Sequence, residues 1–449
     1  GGGHGDFGVL TAHDVAYSYN DANPAWNPVS ITDGGGFWSN LIGAQEVIAL
    51  DDKTVRFPFA QFDVRWASFY LTDSGLGAQV ISEQVLEQKG EDWAKANPIG
   101  TGPYTINEWE EGGKIVLDRV EDHWRKTGEA SSITFIHAPE EATRLAMMRT
   151  GEADAMEISV NQIPSMQRNG MVAAGTGGGI QMGVFFSGNL WEDTYAKGDN
   201  AGQPLPPKAT FVHDIPWIGK PGTSHGEGDL EQARNIRTAL AWAIDREAVN
   251  EKLLAGTGDI VHVEYFHAGH ANWNSKWEYG YDPDKSFEII KAQTVDWNKG
   301  QASAADSILG EHAFEVSVYA GPELGGGASI TGEVADAVAG YWADIGLKTF
   351  TLKFSYATFR PTVVGRSNTH PWITSCDKGK ASNPWHFPKG LVQTSLTRGG
   401  FSCGFESPEI LGFYTRMAEA KDTAAATTAA NEYLDYVYHQ ALQSGVVGV

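Results

Sequence analysis

Asn235–Gly256, reading NIRTALAWAIDREAVNEKLLAG, is the stretch around which the chain is organised. Ile236, Leu240 and Ile244 recur every four residues and share one face of a predicted helix, while Arg237, Thr238 and Ala241 fall elsewhere on it. Asp245 is placed to cap a second helix, its carboxylate accepting from the free amides of the next turn, and Gly256 to supply a left-handed stop. The reading is a compact helical corner. Asp245 and Arg246 together suggest a catalytic pair, but a cap and a surface or structural ion pair are the better assignments for adjacent residues at a helix start.

Working outward, 449 residues are too many for one ordinary core and point to about two or three domains. A chain with 41% hydrophobic and 20% charged residues reads as a soluble globular protein, and no run approaches the ~18 apolar residues of a spanning helix. The net charge of -23 argues against nucleic acid, whose affinity comes from phosphate neutralisation. Two cysteines, Cys376 and Cys403, are too few for a disulfide scaffold and lack zinc-ligand spacing; one bridge or two free thiols both remain open. The start, GGGHGDFGVLTAHDV, shows no signal peptide, and the end, SGVVGV, reads as a short strand, so truncation at both ends is expected.

Along the chain, Thr11 and Asp14 form a capping-box pair opening a helix. A turn follows at Gly34 to Gly36, a hairpin in AQEVIALDDKTVRFPF, and a helix from Ser82 to Lys95. PIGTGPYTINEWEEGGKIVLDRVEDHWR is a second hairpin turning at Glu110 to Gly113. Then come a strand at Ile133 to His137, a helix ending at Gly151, a short strand at Ala153 to Ile158, and GIQMGVFFSGN as the buried run closing the first lobe. A Pro, Gly and Asp rich segment spans 190–228 as a crossover or insertion. After the helical corner, a helix fits Tyr281 to Gln293, and FEVSVYA, ITGEVADAVAGYWADIG and LKTFTLKF make a βαβ-like unit. Helices at Pro408 to Lys421 and Ala425 to Ser444 finish the chain.

Three constellations could carry chemistry. Gly222-Thr223-Ser224-His225-Gly226 matches the nucleophile elbow, but prolines interrupt the preceding strand and the next helix is expected only from Asp229. His262, His267 and His270, with Glu264 among them, share neither a helix face nor a known metal-ligand spacing. Gly325 to Gly327 lacks the third glycine of a dinucleotide loop. The aromatic residues are the stronger clue. Trp372, Trp385, Phe387 and Phe401 surround Asp377 in sequence, and a carboxylate among tryptophans suits an ammonium group or a sugar face as well as core packing.

Six segments in order resemble the periplasmic solute-binding proteins of peptide, oligopeptide and nickel ABC transporters, family 5 of the bacterial extracellular solute-binding proteins. They are LTAHDVAYSY, PIGTGPYTINEWEEGGKIVLDRVEDHW, ATRLAMMRTGEADA, IRTALAWAIDREAVNEKLLAG, YDPDKSFEIIKA and ITSCDKGKASNPWHF. The resemblance implies an α/β, two-lobe, periplasmic-binding-protein-like fold of type II, in the large peptide-binding cluster, with a ligand cleft between lobes. The expected division is 1–92 as a partial subdomain, 93–188 as an incomplete first lobe and 189–449 as the second. It implies no enzymatic step, metal or cofactor. The implied partners are a peptide or other small organic solute, an oligosaccharide being the alternative, and a membrane permease; the chain is expected to be monomeric and periplasmic or membrane-anchored outside the cell.

By the same resemblance Asp377 pairs with the ligand's amino group, although Cys376 replaces an alanine and Lys378 a tyrosine of the family's loop. Phe185, Phe186 and Ser187 match a ligand-touching junction, and Trp372 and Trp385 are the stacking candidates. A serine or metal-dependent hydrolase is the competing class.

Overall fold

In the computed structural model, the described residues are 7–30, 32, 35–67, 79–159, 162–173, 181–186, 194–195, 201–204, 216–219, 227–263, 273–292, 315–320, 330–364, 367–374 and 407–448. The chain forms two compact units, 1–61 with 76–156, and 62–75 with 157–449.

In the first unit, helix α1 (Ala12–Ala22) starts on the expected capping box: Thr11 accepts from His13 N–H, and Asp14 accepts from Thr11 N–H at 2.9 Å. Its Tyr19 meets Trp38 and Phe57 edge-on, at 4.6 and 5.0 Å between ring centroids, which sets the small core. Trp38 lies on α2 (Gly35–Ile42), so Gly35 and Gly36, expected in a turn, instead open a helix. A side chain at Gly35 would stand 2.7 Å from the Ala22 carbonyl, and the close approach of α2 to the end of α1 requires glycine there. The expected hairpin is β1 (Ile48–Asp51) and β2 (Thr54–Arg56). The single helix expected over Ser82 to Lys95 is split into α3 (Glu83–Lys89) and α4 (Glu91–Ala96) by Gly90, whose φ of 81° breaks the helical path. The second hairpin is β3 (Tyr104–Trp109) and β4 (Lys114–Arg119), joined by β5 (Ser132–Ile136) in a three-stranded antiparallel sheet. Helix α5 (Glu141–Thr150) stops at left-handed Gly151 as expected, but Ala153 to Ile158 is not a strand.

The second unit holds helix α6 (Ile163–Arg168) and a six-stranded mixed sheet. Its strands are β6 (Gln181–Phe185), β7 (Asp259–Ile260), β8 (Glu315–Ala320), β9 (Lys348–Lys353), β10 (Trp372–Thr374) and β11 (Gln443–Gly448), in the order β7-β11-β6-β10-β8-β9. β6 is therefore a central strand of this sheet, not the closing strand of the first lobe. It is antiparallel to both neighbours, pairing Phe185 with Trp372 on one side and with Gln443 on the other.

The helical corner is α7 (Glu227–Trp242) and α8 (Arg246–Leu254). α7 begins two residues before the expected Asp229. Asp245 caps α8 by accepting from Ala248 N–H at 2.9 Å, and the left-handed stop takes in Ala255 at φ 53° as well as the expected Gly256 at φ 73°. Helices α9 (Pro283–Ala292) and α10 (Thr331–Asp344) follow, the latter linking parallel β8 and β9 as the βαβ pattern predicts. Helix α11 (Tyr356–Val364) precedes β10, and α12 (Pro408–Ala418) and α13 (Thr423–Gln440) precede β11. α13 ends four residues short of the expected Ser444, because Ala441 turns left-handed at φ 47° and releases the chain into β11.

Arg246 corrects the expectation of a surface or structural ion pair: it is buried. Its Nε donates to the Gly445 carbonyl at 2.8 Å, Nη1 to those of Ala241 and Ile244, and Nη2 to Ser444 Oγ at 2.6 Å. Arg246→Ala leaves these buried carbonyls without a donor and is expected to cost about 3–5 kcal/mol in urea denaturation. Arg246→Lys recovers only part of that, since one ammonium cannot reproduce the fork; an Arg246→Ala protein as stable as wild type contradicts this role.

Candidate functional site

The cross-strand register of the six-stranded sheet decides which expected residues meet. Phe185 and Trp372 are direct partners on one face, their rings 6.0 Å apart, and Phe359 of α11 closes on Trp372 at 5.1 Å. With Val363 they form a buried cluster, edged by Tyr319 and Phe354. Trp372 is 0% exposed and has no free face for stacking, so the aromatic cluster expected around Asp377 contributes at least one ring to the core. Phe186 is buried as well, stacked on Trp342 of α10 at 6.3 Å and 16°.

Cys376, Asp377, Trp385 and Ser187 lie outside the described residues, as do Cys403, Ser224, His267, His270, Glu264 and Gly325 to Gly327. The strands leading to them are described. Because β6 and β10 run antiparallel, β6 ends beside Trp372 whereas β10 ends beside Gly183. The strand leading to Asp377 and the strand leading to Ser187 thus end at opposite edges of this sheet. β8 is parallel to β10 and ends at the same edge as the approach to Asp377.

Of the histidine group, His262 is placed. Its Nδ1 accepts from Tyr279 N–H at 3.1 Å and its ring lies 6.0 Å from Trp273. Burial, with the nearby Arg246 charge, pushes it down to about 3, so the ring is neutral at physiological pH. Among the described residues no group of three His, Cys, Asp or Glu side chains could hold a metal ion. A cleft of about 520 Å³ in the first unit is lined by Tyr17, Asn20, Asp21, Trp26, Glu46 and Glu83 among others. Burial, then the Asp21 and Glu83 carboxylates, raise the Tyr17 hydroxyl above the usual range, a sign of negative potential there. Of the expected site residues that are described, Phe185, Phe186 and Trp372, none lines it.

Two groups escaped sequence reading: Thr374 at the end of β10 and Gln443 at the start of β11, both buried on the face that carries Phe185 and Trp372. Their signal is weak in sequence, since an isolated polar residue next to an apolar run reads as a strand end.

Two α/β units, the second built on a mixed sheet with its helical corner packed against the C-terminal strand, define the class of fold that solute-binding proteins share. The family model for bacterial extracellular solute-binding proteins, family 5 middle, matches residues 8–369, and the chain belongs to that family. It is 19% identical over 357 residues to the dipeptide-binding protein of Escherichia coli K12, covering 78% of this chain and 57% of that one. It is 25% identical over 244 residues to the glutathione-binding protein GsiB of Salmonella typhimurium, covering 51% and 39%. The chain therefore spans less than two thirds of the length of these relatives. Among solved structures, it resembles Helicobacter pylori DppA in complex with the peptide STSA, at TM-score 0.65 and 15% identity, covering 98% of this chain and 76% of that one. It also resembles the mannohexaose-bound oligopeptide-binding protein of Thermotoga maritima (0.68, 15%, 98% and 76%) and Brucella suis NikA with Fe(III)-EDTA (0.68, 14%, 98% and 80%).

The fold holds His262 neutral, whereas the unfolded chain protonates it near 6.5, so the unfolded state binds more protons between those values. Stability from this site is complete above about pH 6.5 and is lost as pH falls toward about 3. His262→Asn keeps an acceptor for Tyr279 N–H but cannot titrate; its melting temperature is expected to fall less between pH 7 and 4 than that of wild type. Equal slopes in the two proteins contradict the assignment.

Proposed function

We propose that this chain is the extracytoplasmic solute-binding component of an ABC importer, which closes two lobes over a peptide or similar small organic solute and delivers it to a membrane permease. The observation that carries this reading is the family match over residues 8–369. Relatives named for dipeptide and glutathione, and a structural neighbour holding the peptide STSA, favour a peptide-like solute. Capture by closure trades the solute's water for apolar faces and a few polar anchors, with no bond made or broken. On this reading the protein is not an enzyme, works as a monomer, and acts in the periplasm or tethered outside the membrane.

Asp377 is the proposed partner of the solute's ammonium group, with Cys376, Trp385 and Ser187 as further contacts and with Phe185, Phe186 and Trp372 as the packed support behind them. A second reading, an oligosaccharide, is favoured by one observation, the mannohexaose held by the Thermotoga maritima neighbour.

A ligand binding only the folded state at 100 times its dissociation constant adds about 2.7 kcal/mol, enough to raise the melting temperature of a chain of this length by roughly 3 °C. The tetrapeptide STSA or glutathione is expected to produce such a shift, and mannohexaose a smaller one. In calorimetry, Asp377→Ala is expected to weaken peptide binding by roughly 10–100-fold, the worth of a hydrogen bond to a charged group. No shift with any of the three, together with ester turnover abolished by Ser224→Ala, would turn the assignment to a hydrolase.

A further inference from the structure

The two faces of the central strands treat their polar residues differently. On one face Ser444, Val184 and Ile373 form a cross-strand row, and the Ser444 hydroxyl accepts from Arg246 Nη2 at 2.6 Å. Thr331 of α10 directs its hydroxyl at the sulfur of Met182 on β6. These two hydroxyls, among the described residues of that face, are engaged.

On the other face the rows are Gln443, Phe185 and Trp372, then Gly445, Gly183 and Thr374. Gln443 is 3% and Thr374 1% exposed, yet Gln443 Oε1 and Thr374 Oγ1 are sealed from solvent without a hydrogen-bond partner. Burying such an atom unpaired is destabilising, and valine or leucine would fill either position without that cost. Two orphaned polar atoms on one face call for a group that arrives from outside the chain.

The chemistry of that group follows from the atoms. An amide oxygen only accepts, so Gln443 Oε1 lacks an N–H or O–H donor, whereas the Thr374 hydroxyl is open to a donor or to an acceptor. Gln443 and Thr374 are two strands and two residues apart, which at ordinary sheet spacings separates their Cα atoms by ~12 Å. An extended solute of about four residues spans that distance, and a dipeptide does not. Between the two lies Gly183, which adds no side chain to this face. A side chain there would approach Gly445 Cα and the Ser444 carbonyl to 3.2 Å, so the glycine also permits β6 and β11 to lie close.

We propose that Gln443 Oε1 and Thr374 Oγ1 are solute-contacting atoms of one extended solute crossing β6 beside Gly183, Gln443 Oε1 receiving an N–H or O–H donor and the Thr374 hydroxyl pairing with a donor or an acceptor. This rests on the transport reading above and deepens it by naming two specificity-determining residues and a solute longer than a dipeptide.

The test uses the full chain with STSA, dialanine and mannohexaose as probes, measuring affinity by calorimetry and the ligand-free melting temperature in parallel. Thr374→Val and Gln443→Leu are each expected to weaken STSA binding about tenfold, while the ligand-free melting temperature stays level or rises. Thr374→Ser, which keeps the hydroxyl, retains wild-type affinity. Dialanine binding falls in at most one of the two variants. If mannohexaose is the probe that binds and loses affinity in both, the donors are sugar hydroxyls and the assignment of the two atoms stands. Unchanged STSA and mannohexaose affinities in variants of raised or level stability would show a buried water at these atoms and overturn the proposal. A fall in melting temperature with affinity unchanged would make the two residues structural and overturn it equally. A wild-type protein that binds none of the three probes is a different failure, which removes the transport reading and this inference with it.

Discussion

Two buried guanidinium groups on the helical corner hold the second unit's C-terminal strand in place. Arg237 donates from Nε and Nη2 to the Gln440 carbonyl at 3.0 and 2.8 Å, and from Nη1 to the carbonyls of Trp217 and Ile218. Arg246 grips Gly445 and Ser444 while also meeting the last carbonyls of its own corner. Burial pushes them down to about 9 and about 10, still well above neutrality, so both charges persist in a medium that disfavours them. Carbonyl groups at helix ends carry partial negative charge and offset that desolvation. The consequence is positional. The end of α13, the left-handed turn at Ala441 and the start of β11 are set by side chains about 200 residues earlier, and with them the place of Gln443 against Phe185.

That constraint separates what could be read from sequence from what could not. The capping box at Thr11, the hairpins at 48–56 and 104–119, the Gly151 stop and the βαβ unit at 315–353 depend on residues close in sequence, so period and turn chemistry suffice to find them. The sheet to which β6 belongs was not legible. Its pairs are Phe185 with Trp372 and with Gln443, and an apolar run reads the same whichever neighbours it takes. Arg246 differs from its expected ion pair for a related reason: a charged residue on a helix is ordinarily solvated, and only the folded chain brings carbonyls to it. Trp372 shows the converse. A tryptophan beside a polar loop reads as a binding ring, but Phe185 and Phe359, neither adjacent to it in sequence, enclose it.

Within the proposed site, the loop around Asp377 is indicated by the resemblance and lies outside the described residues. The sheet face beneath the approach to that loop had no such signal. Thr374 and Gln443 become noticeable only as atoms lacking partners, and satisfaction of hydrogen bonds is a property of three-dimensional neighbours.

Structures with 14–15% identity to this chain share its fold, and those described above hold a peptide, an oligosaccharide and an iron chelate. A scaffold that serves such different solutes cannot itself name the one bound here. The scaffold face of the sheet, with Ser444 and Met182 engaged by arginine and threonine, answers to stability and tolerates any sequence that keeps its packing. The opposite face departs from that rule by leaving two buried polar atoms unmatched, a local loss that stability alone does not favour. Specificity should then reside where the fold is locally suboptimal, and for the described residues that place is the pair of strands ending and beginning at Thr374 and Gln443.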